Sequence, residues 1–395
     1  MACLIFLAVC IAAAWPDDSR LVPRNAGHPV GSDSWGWIFL ICEAAAFLAY
    51  GLGLLLIGFR GAPLLPVGAL AAAIQLAPLG APLLLSTDAW TYWDYGRIAA
   101  VDGGNPYADR PLDFPNDPAY RFVGEDWRDS TSVYGPAFTL ASEPIARSAD
   151  GSSDAAAWLY KSAGAVAVLS AGALAVRLAR SKAFAAAFVG WNPLLALHFA
   201  GGGHNDAWMA ALVLAALVLA ARGRRQLAGA AWAGAALVKW IPLVLLPLRA
   251  VEARTRGRRV GHLGFAGCAA ALIGFALWRY GSHWVRAFGP LARNANRETT
   301  FAVPHRLEQV GLPQWLAVGL LAVAFAVAYL LLLREARRGR ARLGLTLGLG
   351  LLASPYLAPW YAIWIVPLAA AEEDRAAQLL GVALSAYLLR QTVPL

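Results

Sequence analysis

QLAGAAWAGAALVKWIPLVLLPL, residues 226–248, is an apolar run of membrane-spanning length with Lys239 and Pro242 at its middle. Arginine clusters flank it, at 222–225 before and 249–259 after. Lys and Arg collect on the cytoplasmic side of membrane proteins, so both ends of the run are expected on one side. One straight helix would carry them to opposite sides. A break resolves the conflict, because proline removes a backbone donor and an ionisable side chain at membrane depth needs a polar niche built of protein. Two half-helices forming a re-entrant hairpin meet both conditions; a kinked span with a snorkelling lysine is the simpler alternative. Irregular backbone at that depth survives only inside protein or against a cavity, so the break points to a site.

Outward from this run the chain has the same character. Of its 395 residues 59% are apolar and 14% charged, against about 25% charged in soluble domains. Apolar segments are read at 2–15, 36–59, 64–85, 155–176, 183–200, 207–221, 226–248, 260–280, 314–333, 343–371 and 376–392. The expected fold is all-α: a polytopic membrane helical bundle of about 9 to 11 hydrophobic segments with re-entrant or broken helices. Residues 1–395 read as one integral-membrane domain. The first segment lacks a basic flank and a clean small-x-small cleavage site, so a short span is expected there and not a signal peptide. Cys3, Cys10, Cys42 and Cys268 all lie in apolar runs and read as small core residues, neither disulfide partners nor thiolate ligands.

The net charge of +9 does not indicate nucleic acid, because 16 of the 33 basic residues fall in four clusters between apolar runs, at 177–182, 222–225, 249–259 and 334–342. These are expected at the cytoplasmic face. Residues 88–154 hold twelve acidic side chains against five basic, so residues 86–154 are expected to form a large first loop on the non-cytoplasmic side. A second loop on that side, 281–313, carries His283, Arg286, Arg293, Arg297, His305 and Arg306 against only Glu298 and Glu308. A basic loop there opposes the usual charge bias, which favours anion binding.

The densest chemistry is STDAWTYWDYGR, residues 86–97. Asp88 follows the apolar run within three residues, with Tyr92, Asp94, Tyr95 and Arg97 close behind. A carboxylate at the mouth of a span is partly desolvated, which is expected to raise its basicity and suit it to general-base work; capping the following helix is the plainer role. GGNPY at 103–107 and VYGP at 133–136 are turn motifs whose Asn105, Tyr107 and Tyr134 could stack on or hydrogen-bond a sugar. GGGHND, 201–206, puts His204, Asn205 and Asp206 in a glycine-rich turn, with Asp206 also placed to cap the next helix. In SPYLAPWYAIWIVP, three prolines break the segment, and Trp360, Tyr361 and Trp364 form either an interfacial aromatic belt or the wall of a ligand pocket. No nucleotide, zincin or nucleophile-elbow motif is present.

Taken in order, the acid at the start of the first large loop, Y-x-x-Y-G-R, G-x-N-P-Y, Y-G-P, G-H-N-D-A, K-W-x-P and P-W-Y-x-x-W resemble the integral-membrane GT-C glycosyltransferases. The resemblance covers residues 86 to about 367 and is nearest to the polyprenol-phosphomannose-dependent alpha-mannosyltransferases of bacterial envelopes. It implies a multi-pass protein of the plasma membrane with its active site on the non-cytoplasmic side. It implies a polyprenyl-phosphate sugar donor, a glycolipid or lipoglycan acceptor, and inverting transfer with Asp88 as base. Mannose is the expected sugar, with arabinose and glucose left open. No cofactor and no metal dependence are expected, since the leaving phosphate can be stabilised by basic side chains, for which Arg297, His305 and Lys239 are the candidates. The other expected substrate contacts are those of Tyr92, Asp94, Tyr95, Arg97, Asn105, Tyr107, Tyr134, His204, Asn205, Asp206, Trp360 and Tyr361. The rival class is a transporter or flippase of a lipid-linked or anionic solute, which would also use broken helices. Concentration of the polar residues in an outer loop favours an enzyme.

Overall fold

Runs of Ala, Leu, Val and Gly in a lipid solvent leave the backbone no partner but itself, and helices satisfy it within one segment. The computed structural model describes residues 1–24, 28–289 and 298–395. Every named element among them is helical, the only extended pairing being an isolated bridge between Ser19 and Ser32. Among the described residues, four helices are long and apolar enough to cross a bilayer: Asp33–Arg60, Ser153–Leu178, His262–Ala287 and Gln314–Ala336. A fifth crossing is possible on the same criteria if Lys182–Gly190 and Pro193–Gly201, bent by 52°, count as one. The last two long helices are only 11% buried, with side chains such as Trp278, Val323 and Leu330 turned outward to meet acyl chains.

Beside the shorter helices Ala2–Ala12, Leu64–Leu76 and Arg375–Leu388, the described residues form three hairpins. The first rises through Lys182–Gly190 and Pro193–Gly201 and returns through Asp206–Ala221. The second rises through Arg225–Val238, breaks, and returns through Ile241–Leu245 and Leu246–Thr255. The third pairs Leu343–Ala353 with Ala362–Glu372. A 14-residue limb is about 21 Å long, short of the roughly 30 Å hydrocarbon core.

Contacts at the hairpin feet tie the four basic clusters to one end of the bundle. The backbone N–H groups of Arg180 and Ser181 donate to Glu373, Arg342 holds Asp374 with two hydrogen bonds of 2.6 and 2.9 Å, and Arg256 donates to the Gly339 carbonyl at 2.9 Å. In the second hairpin the Gln226 side chain accepts from the Gly264 N–H at 2.7 Å, and a Cβ on Gly261 would overlap the Arg225 carbonyl. Residues 225 and 261 are therefore neighbours, and everything between them travels out and back. The run 226–248 is a hairpin and not a kinked span.

At the opposite end, residues 88–154 fold into short helices around a buried ion pair. Arg97 grips Asp117 at 2.8 and 2.9 Å and also donates to the Asp150 carbonyl. Asn105 donates to the Tyr280 carbonyl at 2.7 Å, and Arg279 to Glu143 at 3.0 Å, which docks the loop on the end of the His262–Tyr280 helix. One expected segment is shorter than its apolar run: 64–85 is helical only through Gly80, because Pro78 and Pro82 leave no continuous donor ladder, and residues 81–86 run on without helix.

Candidate active site

The three hairpin tips and the start of the Asp88–Ala100 helix converge on a cavity of about 480 Å³. Each tip is broken for a local reason. Asn192 accepts from the N–H groups of Leu194 and Leu195, starting a short helix that widens into a π-turn at Leu197–Gly201 before the chain turns through GGHN. Gly203 has φ +72°, and a Cβ there would press on Ala89 at 3.1 Å, so glycine meets both the conformation and the close approach. Lys239 ends its helix in extended backbone, with Pro242 opening a tight turn just beyond. In the third tip the Thr299 hydroxyl donates to the Leu357 carbonyl at 2.8 Å and accepts from the Leu357 N–H at 3.0 Å.

Asp88 is the first residue of its helix. Leu85, in the left-handed region at φ +63°, turns the chain into it, and the Ser86 hydroxyl accepts from the Asp88 N–H at 3.2 Å. A non-glycine residue held at that φ is strained, and such strain clusters at functional sites. The Asp88 side chain caps nothing: its Oδ2 accepts from the Tyr92 hydroxyl at 3.3 Å and lies 3.1 Å from His204 Nδ1. Oδ1 has no hydrogen bond among the described residues, and the carboxylate, 17% exposed, borders the cavity. The His204 ring stacks on Trp360 at 3.8 Å, 15° from parallel, which fixes the orientation of the imidazole.

Beside this pair lies a second ionic unit. Lys239 Nζ donates to Asp206 Oδ1 at 2.6 Å, and the Trp364 indole donates to the same oxygen at 2.7 Å. The ammonium stands 5.1 Å from the Tyr361 ring centre and 5.6 Å from that of Trp364, two stacked rings 4.1 Å apart. Asp206 caps no helix; it is buried as the counter-ion of Lys239. The other wall is apolar, made by Val244, Phe325, Leu347 and Leu351. One cavity thus joins an ionic end to a greasy one.

The expectation that partial burial raises Asp88 does not hold. Burial pushes its carboxyl up, but the hydrogen bond and charge of His204, the charge of Lys239 and the Tyr92 hydroxyl together outweigh this and hold it below the usual carboxylate value. Asp88 is therefore a persistently ionised acceptor. The stability its pairing contributes is present above the unfolded carboxylate pKa and is lost as pH falls through the lower folded value. His204→Ala should move the acid limb of kcat/KM to higher pH, since burial then acts with less opposition. An unmoved acid limb in a pH–rate series would assign that limb to another group.

Of the residues singled out in the sequence, Asp88, Tyr92, Tyr134, Lys239, Trp360 and Tyr361 border the cavity, and His204 and Asp206 are bonded to its two charged groups. Asn205 sits between those two, buried, with no side-chain hydrogen bond among the described residues. Others are engaged elsewhere. Asp94 is fully buried away from the cavity without a hydrogen-bond partner among the described residues, and burial holds its carboxyl well above the usual value. Tyr95 donates to the Ser130 carbonyl, Arg97 is consumed by Asp117, and Asn105 and Tyr107 fasten the loop through the Tyr280 and Tyr134 carbonyls. His305 faces Glu298 at 3.3 Å and Glu308 at 3.5 Å, and Arg306 donates to the Tyr387 hydroxyl, so this part of the basic loop is spent on protein partners. Arg293 and Arg297 lie outside the described residues. The aromatic-belt alternative for Trp360 and Trp364 is overturned, as both are buried against the hairpin tips. Sequence reasoning gives no role to Trp127; Trp240 is foreshadowed by the K-W-x-P motif at the break, and Phe325 only by its position in an apolar run.

Comparison with known proteins gives the family. Residues 2–254 match a family described as Alpha-(1->6)-mannopyranosyltransferase, N-terminal domain, and residues 305–394 match one described as MptB C-terminal domain. Alpha-(1->6)-mannopyranosyltransferase A of Corynebacterium glutamicum is 29% identical over 152 residues, covering 38% of this chain and 30% of that protein. Alpha-(1->6)-mannopyranosyltransferase B of the same organism is 30% identical over 171 residues, 42% and 28% of the two chains. A probable alpha-(1->6)-mannopyranosyltransferase of Mycolicibacterium smegmatis is 27% identical over 363 residues, 73% of this chain and 62% of its own. In each case the match spans less than two thirds of the relative's length. No solved structure matches. Because the first family match alone takes in well over half of its residues, the chain belongs to the alpha-(1->6)-mannopyranosyltransferase family.

Proposed function

We propose that the protein is an inverting alpha-mannosyltransferase that moves mannose from a polyprenyl-phosphate donor to a glycolipid or lipoglycan acceptor on the non-cytoplasmic face of the plasma membrane. The observation that carries this reading is the cavity itself, in which a carboxylate with one free oxygen and an ammonium group stand at one end and an apolar wall at the other. A lipid-linked sugar phosphate has the same division. Asp88 Oδ1 takes the proton of the acceptor hydroxyl as the acceptor oxygen bonds to the anomeric carbon. The bond from the anomeric carbon to the phosphate oxygen breaks, its electron pair leaves with the phosphate, and Lys239 stabilises that charge. His204 and Tyr92 hold the base through its other oxygen. A single displacement needs no covalent nucleophile, and no metal is assigned a role.

The direct test is purified protein in lipid nanodiscs with radiolabelled polyprenyl-phosphate mannose, arabinose or glucose and an acceptor lipid extract. Mannose alone should move. Label entering the acceptor glycolipid, resolved from the donor lipid by chromatography, from another donor would change the sugar, and folded protein that transfers none would reject the reading. The orientation has its own test: in intact cells an impermeant thiol reagent should label Ser130→Cys, in the acidic loop, and spare Thr255→Cys, at the foot of the second hairpin. The opposite pattern would put the cavity on the cytoplasmic side.

A further inference from the structure

At the basic end of the bundle, away from the site above, a second cavity of about 260 Å³ opens at the foot of the second hairpin. Its walls are apolar: Ala228, Trp232, Leu246, Ala250 and Phe265. Its floor is rigid, because Gly229, Gly261 and Gly264 bring two stretches of backbone into contact where any Cβ would overlap a facing carbonyl. The mouth carries Arg225, Arg249, Arg258, Arg259 and His262. Arg249 is neutralised by Glu252, which also draws Arg256. Arg225, Arg258 and Arg259 make no side-chain ion pair or hydrogen bond among the described residues, and all three are exposed. The side bias of basic residues accounts for their presence at this end and for their exposure, but it does not account for three guanidinium groups gathered around one apolar cleft.

We infer that this cleft is a binding site for an anionic phospholipid of the leaflet at the basic end, with its phosphate among Arg225, Arg258 and Arg259 and the first part of an acyl chain in the cavity. A planar guanidinium offers paired N–H donors that match phosphate oxygens, and basic pockets between membrane helices suit anionic head groups. The walls admit chain methylenes, which a free phosphate lacks. The site also has a consequence for the opposite end: the same hairpin carries Lys239 at its tip, so a lipid seated at the foot would brace the element that positions it.

The test is native mass spectrometry of the full chain in detergent, titrated with dioleoyl-phosphatidylglycerol or with dioleoyl-phosphatidylcholine, which has the same acyl chains. The anionic lipid should be retained and the zwitterionic one lost. Each basic residue near a head group contributes about 1 kcal/mol, so Arg258→Gln with Arg259→Gln should weaken retention roughly 30-fold. Arg337→Gln with Arg340→Gln removes as much charge from the same end without touching the cleft, and should change retention by less than about 3-fold. Thermal unfolding in lipid-free detergent checks that both pairs fold as the parent does. Equal loss in the two pairs would mean diffuse attraction to the basic face, and equal retention of both lipids, each of which carries a phosphate, would remove the selection for an anionic head group. Displacement of the lipid by millimolar inorganic phosphate would make a free anion the ligand. Any of these three results overturns the inference.

Discussion

Asp88→Asn is expected to lower turnover by about 10²- to 10⁴-fold, the usual contribution of a positioned base, while the protein still inserts, folds and binds donor lipid. The amide keeps the size of the carboxylate and can still meet His204 and Tyr92, but it cannot take a proton. The neighbouring acid provides the comparison. Asp94 lies six residues on, about 120° around the same helix, buried, with its carboxyl pushed well above the usual value by burial. Asp94 does not border the cavity and Asp94→Asn keeps its shape, so turnover should fall by less than about 3-fold. Near-parent turnover in Asp88→Asn would take this carboxylate out of the chemistry. A large loss confined to Asp94→Asn would move the base to a residue that the cavity does not reach.

Lys239→Met should produce two effects that a second substitution separates. Asp206 is buried, and loss of its partner leaves an uncompensated charge, which costs about 3–5 kcal/mol in stability. Under the proposed mechanism the same change removes the cation that stabilises the leaving phosphate, for which a loss of about 10²- to 10³-fold in kcat is expected. Adding Asp206→Asn removes the orphaned charge and should restore most of the stability, measured by thermal unfolding, while turnover stays low. Recovery of both in the double variant would reduce Lys239 to a structural counter-ion. Recovery of neither would place the defect in the hairpin tip as a whole.

Much of the architecture is legible before any coordinates. The break at Lys239 and Pro242 follows from a missing backbone donor and a charge inside an apolar run, both local properties. The shared end of the four basic clusters follows from charge bias, and the large acidic loop from its composition. Candidate residues were harder to sort. Arg97 and Lys239 look equally available in the sequence, yet Asp117 occupies the first, and the second faces the cavity. Tyr95 and Tyr92 are three residues apart on one helix; one secures the Ser130 carbonyl and the other the catalytic candidate.

What the sequence by itself determined is the solvent, the helical class, the basic and acidic ends and the places where helices must break, because these depend on hydropathy, proline and charge within a few residues. Only the tertiary structure decided which polar groups share a cavity and which are neutralised. His204 reaches Asp88 across 116 positions, Lys239 meets Asp206 across 33, and Trp364 meets the same carboxylate across 158. A buried charge must be paired or neutral, and its partner is set by how the hairpins pack, which no local run of residues encodes.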